Sequence, residues 1–215
     1  MTDPEMPPPA PTQTPAPPSS GWQAAPPPPT VPGAAGYVYA DVPNRVIGLI
    51  IDGIIVAIIT AVVNVVAYGI VGQPVSINID AVNATNLNGL VSINYFATLV
   101  GVIISLIIGS AYYIYLWTTR RATFGQSLLG MQVGNFPDGK TLTLEQGVRR
   151  WAALFAPFSV SQVAWAIPTL GAIVGLLTFI YAIYLLYTTA QSPTKQGFHD
   201  KFANSVVVKA ARTAG

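Results

Sequence analysis

Cysteine is missing altogether from this chain of 215 residues. Disulfides, thiol chemistry, thiolate metal sites and lipid anchors on cysteine are therefore excluded. Charge is scarce too: Asp, Glu, Lys and Arg make up 8% of the residues, against about 25% in an ordinary soluble domain. Much of the surface is then expected to face something other than water. The net charge of +2 is too small and too scattered for a nucleic-acid footprint. Histidine occurs once, which rules out both a zinc site and the metal set of a His-Asp phosphohydrolase. No nucleophile elbow and no phosphate-cradling loop is present. No basic segment followed by an apolar one opens the chain, so no cleavable signal peptide is expected. These deficits leave no catalytic residue, no metal and no cofactor to name, and the chain reads as a non-enzyme.

What is abundant is apolar sequence, 52% of the residues. It falls into four segments, expected as transmembrane helices at about 46–71, 94–117, 147–167 and 170–188. The first two exceed the roughly 20 residues needed to cross a ~30 Å hydrocarbon layer. The third is shorter and more polar, and Pro157 should kink it. Thr143 to Gln146 fits a capping box and should start that helix. A re-entrant hairpin is the alternative for segments three and four. Residues 1–36 hold 13 of the 19 prolines and few large apolar side chains. They read as a disordered, cytoplasmic, proline-rich tail, with 210–215 as a short tail at the other end.

Orientation follows the positive charges. Arg45 precedes segment one, Arg120, Arg121, Lys140, Arg149 and Arg150 lie between segments two and three, and Lys195, Lys201, Lys209 and Arg212 follow segment four. The loop 72–93 and the break 167–169 contain none. Both termini are therefore expected in the cytoplasm of a bacterial plasma membrane. Trp117, Trp151 and Tyr187 fit interfacial anchors. The expected fold is all-α: a four-helix transmembrane bundle, N-in and C-in. A small cytoplasmic cap completes it, made of a hairpin around Pro137-Asp138-Gly139 with Val206-Val207-Val208 as an added strand.

Asp52 stands out. A carboxylate inside an apolar helix costs about 2.5–3.5 kcal/mol on insertion scales, so it should face protein or water. It reads either as a proton- or cation-binding group or as a buried packing contact, with Arg149 or Arg150 as the expected basic partner. Arg45 is two helical turns earlier, about 10 Å along the axis, too far for a direct pair. His199-Asp200 is expected to cap or bridge the cytoplasmic end. Arg45, Asp52, Arg149, Arg150, His199 and Asp200 are thus expected to gather there. Gly171 and Gly175 suit close helix packing. Asn64, Asn94, Ser105 and Gln162 are polar groups that either bond across helices or line a path.

Three stretches taken together carry a resemblance. They are Asn44-Arg45-Val46-Ile47-Gly48-Leu49-Ile50-Ile51-Asp52-Gly53, then Thr123-Phe124-Gly125-Gln126-Ser127-Leu128-Leu129-Gly130-Met131-Gln132-Val133, then Gln196-Gly197-Phe198-His199-Asp200-Lys201. In this order and topology, residues 37–209 resemble the RDD family of small bacterial membrane proteins, named for one arginine and two aspartates. The resemblance places those signature residues on Arg45, Asp52 and Asp200. Gln126 stands where the family often has lysine. What the resemblance implies about function is transport of an unsettled ligand, with cation/proton antiport attributed to some members. The alternative is a non-enzymatic scaffold or assembly factor that recruits a cytoplasmic partner through the proline-rich tail. The bilayer is the expected surrounding, and a homo-oligomer is expected if one small bundle is to act as a carrier.

Overall fold

The computed structural model describes residues 37–79, 90–136, 138–164 and 167–210. The proline-rich tail, Pro137, Trp165 and residues 211–215 lie outside the described residues.

Four long helices dominate: α1 Val42–Val71, α2 Tyr95–Thr119, α4 Leu144–Ala164 and α5 Pro168–Gln191. Two five-residue helices, α3 Phe124–Leu128 and α6 Phe198–Phe202, follow α2 and α5. The helix starts obey local chemistry. Pro43 sits in the first turn of α1, where a missing N–H costs nothing. Asn94 accepts from Ala97 N–H at 3.1 Å and caps α2. The expected capping box opens α4: Thr143 N–H donates to Gln146 Oε1 at 3.0 Å, and Gln146 N–H donates to Thr143 Oγ1 at 3.2 Å.

Helices α1, α2 and α5 are long and apolar enough to cross a membrane. Their outward faces present large apolar side chains, Ile70 82% and Val65 72% exposed among them. Such a surface is what a lipid solvent requires and water does not tolerate. Helix α4 is shorter and more polar, and it packs between α2 and α5. The long helices touch in chain order, α1 on α2, α2 on α4, α4 on α5, with only slight contact between α1 and α5.

Helix α4 runs through Pro157. Proline has no N–H, so the Ala153 carbonyl one turn earlier loses its intrahelical donor. Tyr181 of α5 supplies a replacement, donating its hydroxyl to Ala153 O. Thr178 adds a bond to Pro157 O at 3.3 Å. The proline thereby becomes a point of attachment between α4 and α5. Tyr181→Phe is expected to lower stability by about 1 kcal/mol, read as the thermal unfolding midpoint in detergent micelles. An unchanged midpoint would mean that the carbonyl finds another donor.

The structure is not purely helical. A three-stranded antiparallel sheet has the order β1–β5–β4, with β1 Tyr37–Tyr39, β4 Met131–Asn135 and β5 Ser205–Ala210. Val133 pairs with Val207, and Tyr39 with Val208. The expected addition of Val206-Val207-Val208 to the strand at Met131 is present. The expected hairpin is reduced to a turn: Asn135 N–H donates to Lys140 O at 2.7 Å, but Lys140-Thr141-Leu142 forms no strand. The third strand comes from β1 instead, just ahead of α1. At the other end of α1 and α2, β2 Val75–Ile77 pairs with β3 Val91–Ile93.

The sheet gathers the start of α1, the end of α2, the start of α4 and the end of α5 at one end of the helices. A small apolar core seals that end, with Ala40, Tyr113, Trp117, Met131, Val133, Leu142 and Val207 buried. Trp117 is therefore not an interfacial anchor. It is 1% exposed and donates Nε1–H to Gln126 Oε1 at 3.1 Å.

Candidate functional site

Two buried carboxylates organise the capped end. Asp200, in the first turn of α6, is fully buried. Arg45 Nη1 approaches its Oδ2 at 2.5 Å and Arg150 Nη2 its Oδ1 at 2.9 Å. The Asp200 carboxylate also accepts from Gly197 N–H at 3.3 Å, as an acid three residues into a helix does. Ser205 Oγ accepts from Arg150 Nη1 at 3.2 Å and donates towards Asp200 Oδ1 at 3.3 Å. The Arg150 guanidinium lies 4.7 Å above the Trp117 ring, a cation–π contact in a dry setting. This one carboxylate ties α1, α4, α6 and β5 together.

Burial alone would raise the Asp200 pKa, but the Arg150 and Arg45 guanidiniums outweigh it and hold the carboxyl well below its usual range. His199 is lowered as well, but by a different cause. Burial pushes it down to about 4, against an opposing pull from Asp200. Its Nε2 stands 3.6 Å from Asp200 Oδ2, too long for a hydrogen bond, and near neutral pH the imidazole is uncharged.

That depression has a sign. The folded state binds fewer protons at His199 than the unfolded state, so its stabilising contribution is complete above about pH 6.5 and is lost as pH falls towards 4. His199 is the chain's single histidine, so this interval belongs to it, and the Asp200 contribution fades only at lower pH. The thermal midpoint is expected to drop between pH 7 and 4.5, and His199→Gln is expected to flatten that slope. An unaltered slope in the variant would show that other groups carry it.

Asp52 forms the second node and is 1% exposed. Its Oδ1 accepts from Gly125 N–H at 2.7 Å and from the Tyr112 hydroxyl at 2.8 Å, and its Oδ2 from Thr123 Oγ1 at 2.5 Å. Among the described residues no guanidinium bonds to it. The basic partner expected for Asp52 is replaced by the hydroxyls and backbone at the start of α3, and Arg150 pairs with Asp200. Arg149 stands apart, bonded to Glu145 at 2.5 Å on an exposed face. Of the expected cluster, Arg45, Arg150, His199 and Asp200 come together, Asp52 lies on the wall of the same cavity, and Arg149 is outside.

Helix α3 is set against α1 at closest approach. A Cβ on Gly125 would overlap the Gly48 carbonyl oxygen, so glycine is required there. A second capping box fixes the turn, with Thr123 and Gln126 bonding each other's backbone N–H. Gln126 thus has a structural task. Sequence reading missed Tyr112, Thr123 and Gly125 as partners of Asp52. The Thr-x-x-Gln spacing was the available signal.

Between these nodes opens a cavity of about 530 Å³. Arg45, Asp52, Trp117, Arg150 and His199 line its capped end, and Leu49, Leu154, Phe158 and Leu185 its apolar walls. A second cavity, of about 480 Å³, carries Thr60, Asn64, Ser105, Ser159 and Gln162. The two share Gly53, Tyr113, Phe155 and Phe158 on their walls. Asn64 Oδ1 and Thr60 Oγ1 are buried without partners.

A fold of apolar helices closed at one end by a small sheet, with its polar network at that end, defines a membrane protein of simple helical class. Residues 39–204 match the model of the RDD family, and the chain belongs to that family. No curated protein and no solved structure matches it.

Proposed function

We propose that this chain is a non-enzymatic transport component of the bacterial plasma membrane, in which a small ligand occupies and passes through the paired cavities. The observation that carries the reading is their shared wall, at which a mostly apolar chamber at the capped end adjoins a more polar one further along the helices. Four spans with both termini in the cytoplasm complete it. Support comes from Arg45, Arg120, Arg121, Arg149 and Lys195, which all flank the capped end, and from the absence of Lys and Arg in 72–93. The non-enzymatic part is supported by Ser205, which bonds Arg150 and Asp200 rather than His199.

Cation/proton exchange at Asp52 is the narrower form of this reading. It gains from the carboxylate's place on the cavity wall and loses from the three protein donors that already engage both oxygens. The test is sodium/proton exchange in proteoliposomes with a trapped pH-sensitive dye, comparing wild type, Asp52→Asn and Gly53→Leu. A Cβ at Gly53 meets nothing within 4 Å, so leucine fills the junction of the cavities without a backbone clash. Exchange lost in Gly53→Leu and kept in Asp52→Asn supports the path and removes Asp52 as the coupling group. Exchange lost in Asp52→Asn as well restores the antiport form. No exchange in folded wild type moves the reading to a scaffold, for which the proline composition of residues 1–36 speaks. Loss of a co-purifying partner on deleting that segment is then the expected result.

A further inference from the structure

We propose that the cavity at the capped end binds the monoanionic head of an acyl amphiphile drawn sideways from the bilayer, with Arg45 and Arg150 as its receptors. Three buried polar atoms on the cavity-lining residues have no partner: Arg45 Nη2, Arg150 Nε and His199 Nδ1. Buried N–H groups are rarely left unbonded, and two of these belong to guanidiniums, which only donate. Arg150 is 2% and His199 8% exposed, so bulk water does not satisfy them. The complement of such a group is an acceptor, and an anionic one.

Charge sets the valence. Arg45 and Arg150 against Asp200 leave one positive charge in excess within this triad, and His199 is neutral. Asp52 directs both oxygens at Tyr112, Thr123 and Gly125. One negative charge balances the triad. A carboxylate and a phosphodiester are both monoanions with oxygens spaced for a guanidinium.

The apolar part follows from the walls. Leu49 on α1, Leu154 and Phe158 on α4, and Ala182, Leu185 and Leu186 on α5 enclose the rest of the space, whose volume of about 530 Å³ is that of a small-ligand pocket. The cavity is lined by α1, α2, α4 and α5, and α1 and α5 touch only slightly. Entry through that seam would be lateral, from the bilayer. A free inorganic anion would leave these walls without a partner.

The inference rests on the reading of the interior as a ligand chamber, but it is tested by binding and not by flux. Full-length protein in detergent is mixed with equal phosphatidylglycerol and phosphatidylcholine, and retained lipid is measured by native mass spectrometry. Phosphatidylglycerol is expected to be retained roughly tenfold over phosphatidylcholine, whose choline cation offsets the phosphodiester charge that the arginines would bind. Arg45→Lys keeps a cation for Asp200 and removes Nη2, and it is expected to lose most of that preference. Ala182→Phe fills the cavity without touching the polar network and is expected to abolish it. Displacement of the bound phospholipid by oleate would name a free carboxylic acid as the source, and resistance to oleate a phospholipid, each on the same site. Equal retention of the two phospholipids, or a preference that survives Ala182→Phe, overturns the proposal. Anionic preference without any flux in proteoliposomes keeps it and defeats the transport reading; flux without anionic preference does the reverse.

Discussion

Asp200→Asn is expected to destabilise the protein by about 3–5 kcal/mol, the usual consequence of removing one member of a buried ion pair. The carboxylate is the shared counter-ion of two arginines, and Arg150, 2% exposed, has no water to turn to. Asparagine preserves the shape but presents an N–H₂ to one guanidinium, donor against donor. Arg45, Arg150 and the start of α6 then lose their common anchor, and β5 loses its tie through Ser205. The readout is the yield of monodisperse protein from membranes and its thermal midpoint. Arg149→Gln is the matched control, since that residue meets only Glu145 on the surface, and exposed i,i+4 pairs contribute about 0.5 kcal/mol or less. Similar losses in the two variants would show that the buried triad is not what closes this end.

The contrast between those neighbouring arginines shows where sequence reading succeeds and where it stops. Hydropathy located the long helices, because an apolar run of such length has few other uses. The spacing Glu145 to Arg149 is a surface pair that can be read directly. Adjacent positions on a helix point about 100° apart, so Arg150 belongs on the inward face once Arg149 is outside. The capping rule that started α4 at Thr143 and Gln146 applies unchanged to Thr123 and Gln126. There the box is masked by the apolar run from Phe124 to Gly130, whose composition also suits a membrane-surface segment. Strand β1 offered no such signal: three residues, Tyr37–Tyr39, pair with Val208–Ala210 across nearly the whole chain. A pairing that remote depends on where the helices bring its ends. The partner of Asp52 was misjudged for a related reason. Charge complementarity suggested an arginine, but a carboxylate in a closed space needs donors, and hydroxyls with one backbone N–H supply them as well.

Asp52→Ala is the second large effect, expected at on the order of 3 kcal/mol, because it strands the Thr123 hydroxyl, the Gly125 N–H and the Tyr112 hydroxyl in the interior. Those donors fix α3 against α1, so the turn between α2 and β4 loses its seat. Asp52→Asn is expected to lose much less. Its carbonyl oxygen can keep the two bonds made at Oδ1, and its amide can donate to the Thr123 oxygen in place of accepting from it. The two variants therefore separate shape from charge. A thermal midpoint that falls sharply in the alanine variant and little in the asparagine one identifies Asp52 as the acceptor that docks α3. Under that outcome, any flux lost in the asparagine variant is lost for want of charge and not of fold. Equal and small shifts in both would mean that α3 is seated by other contacts, and Asp52 would then be free for ion exchange.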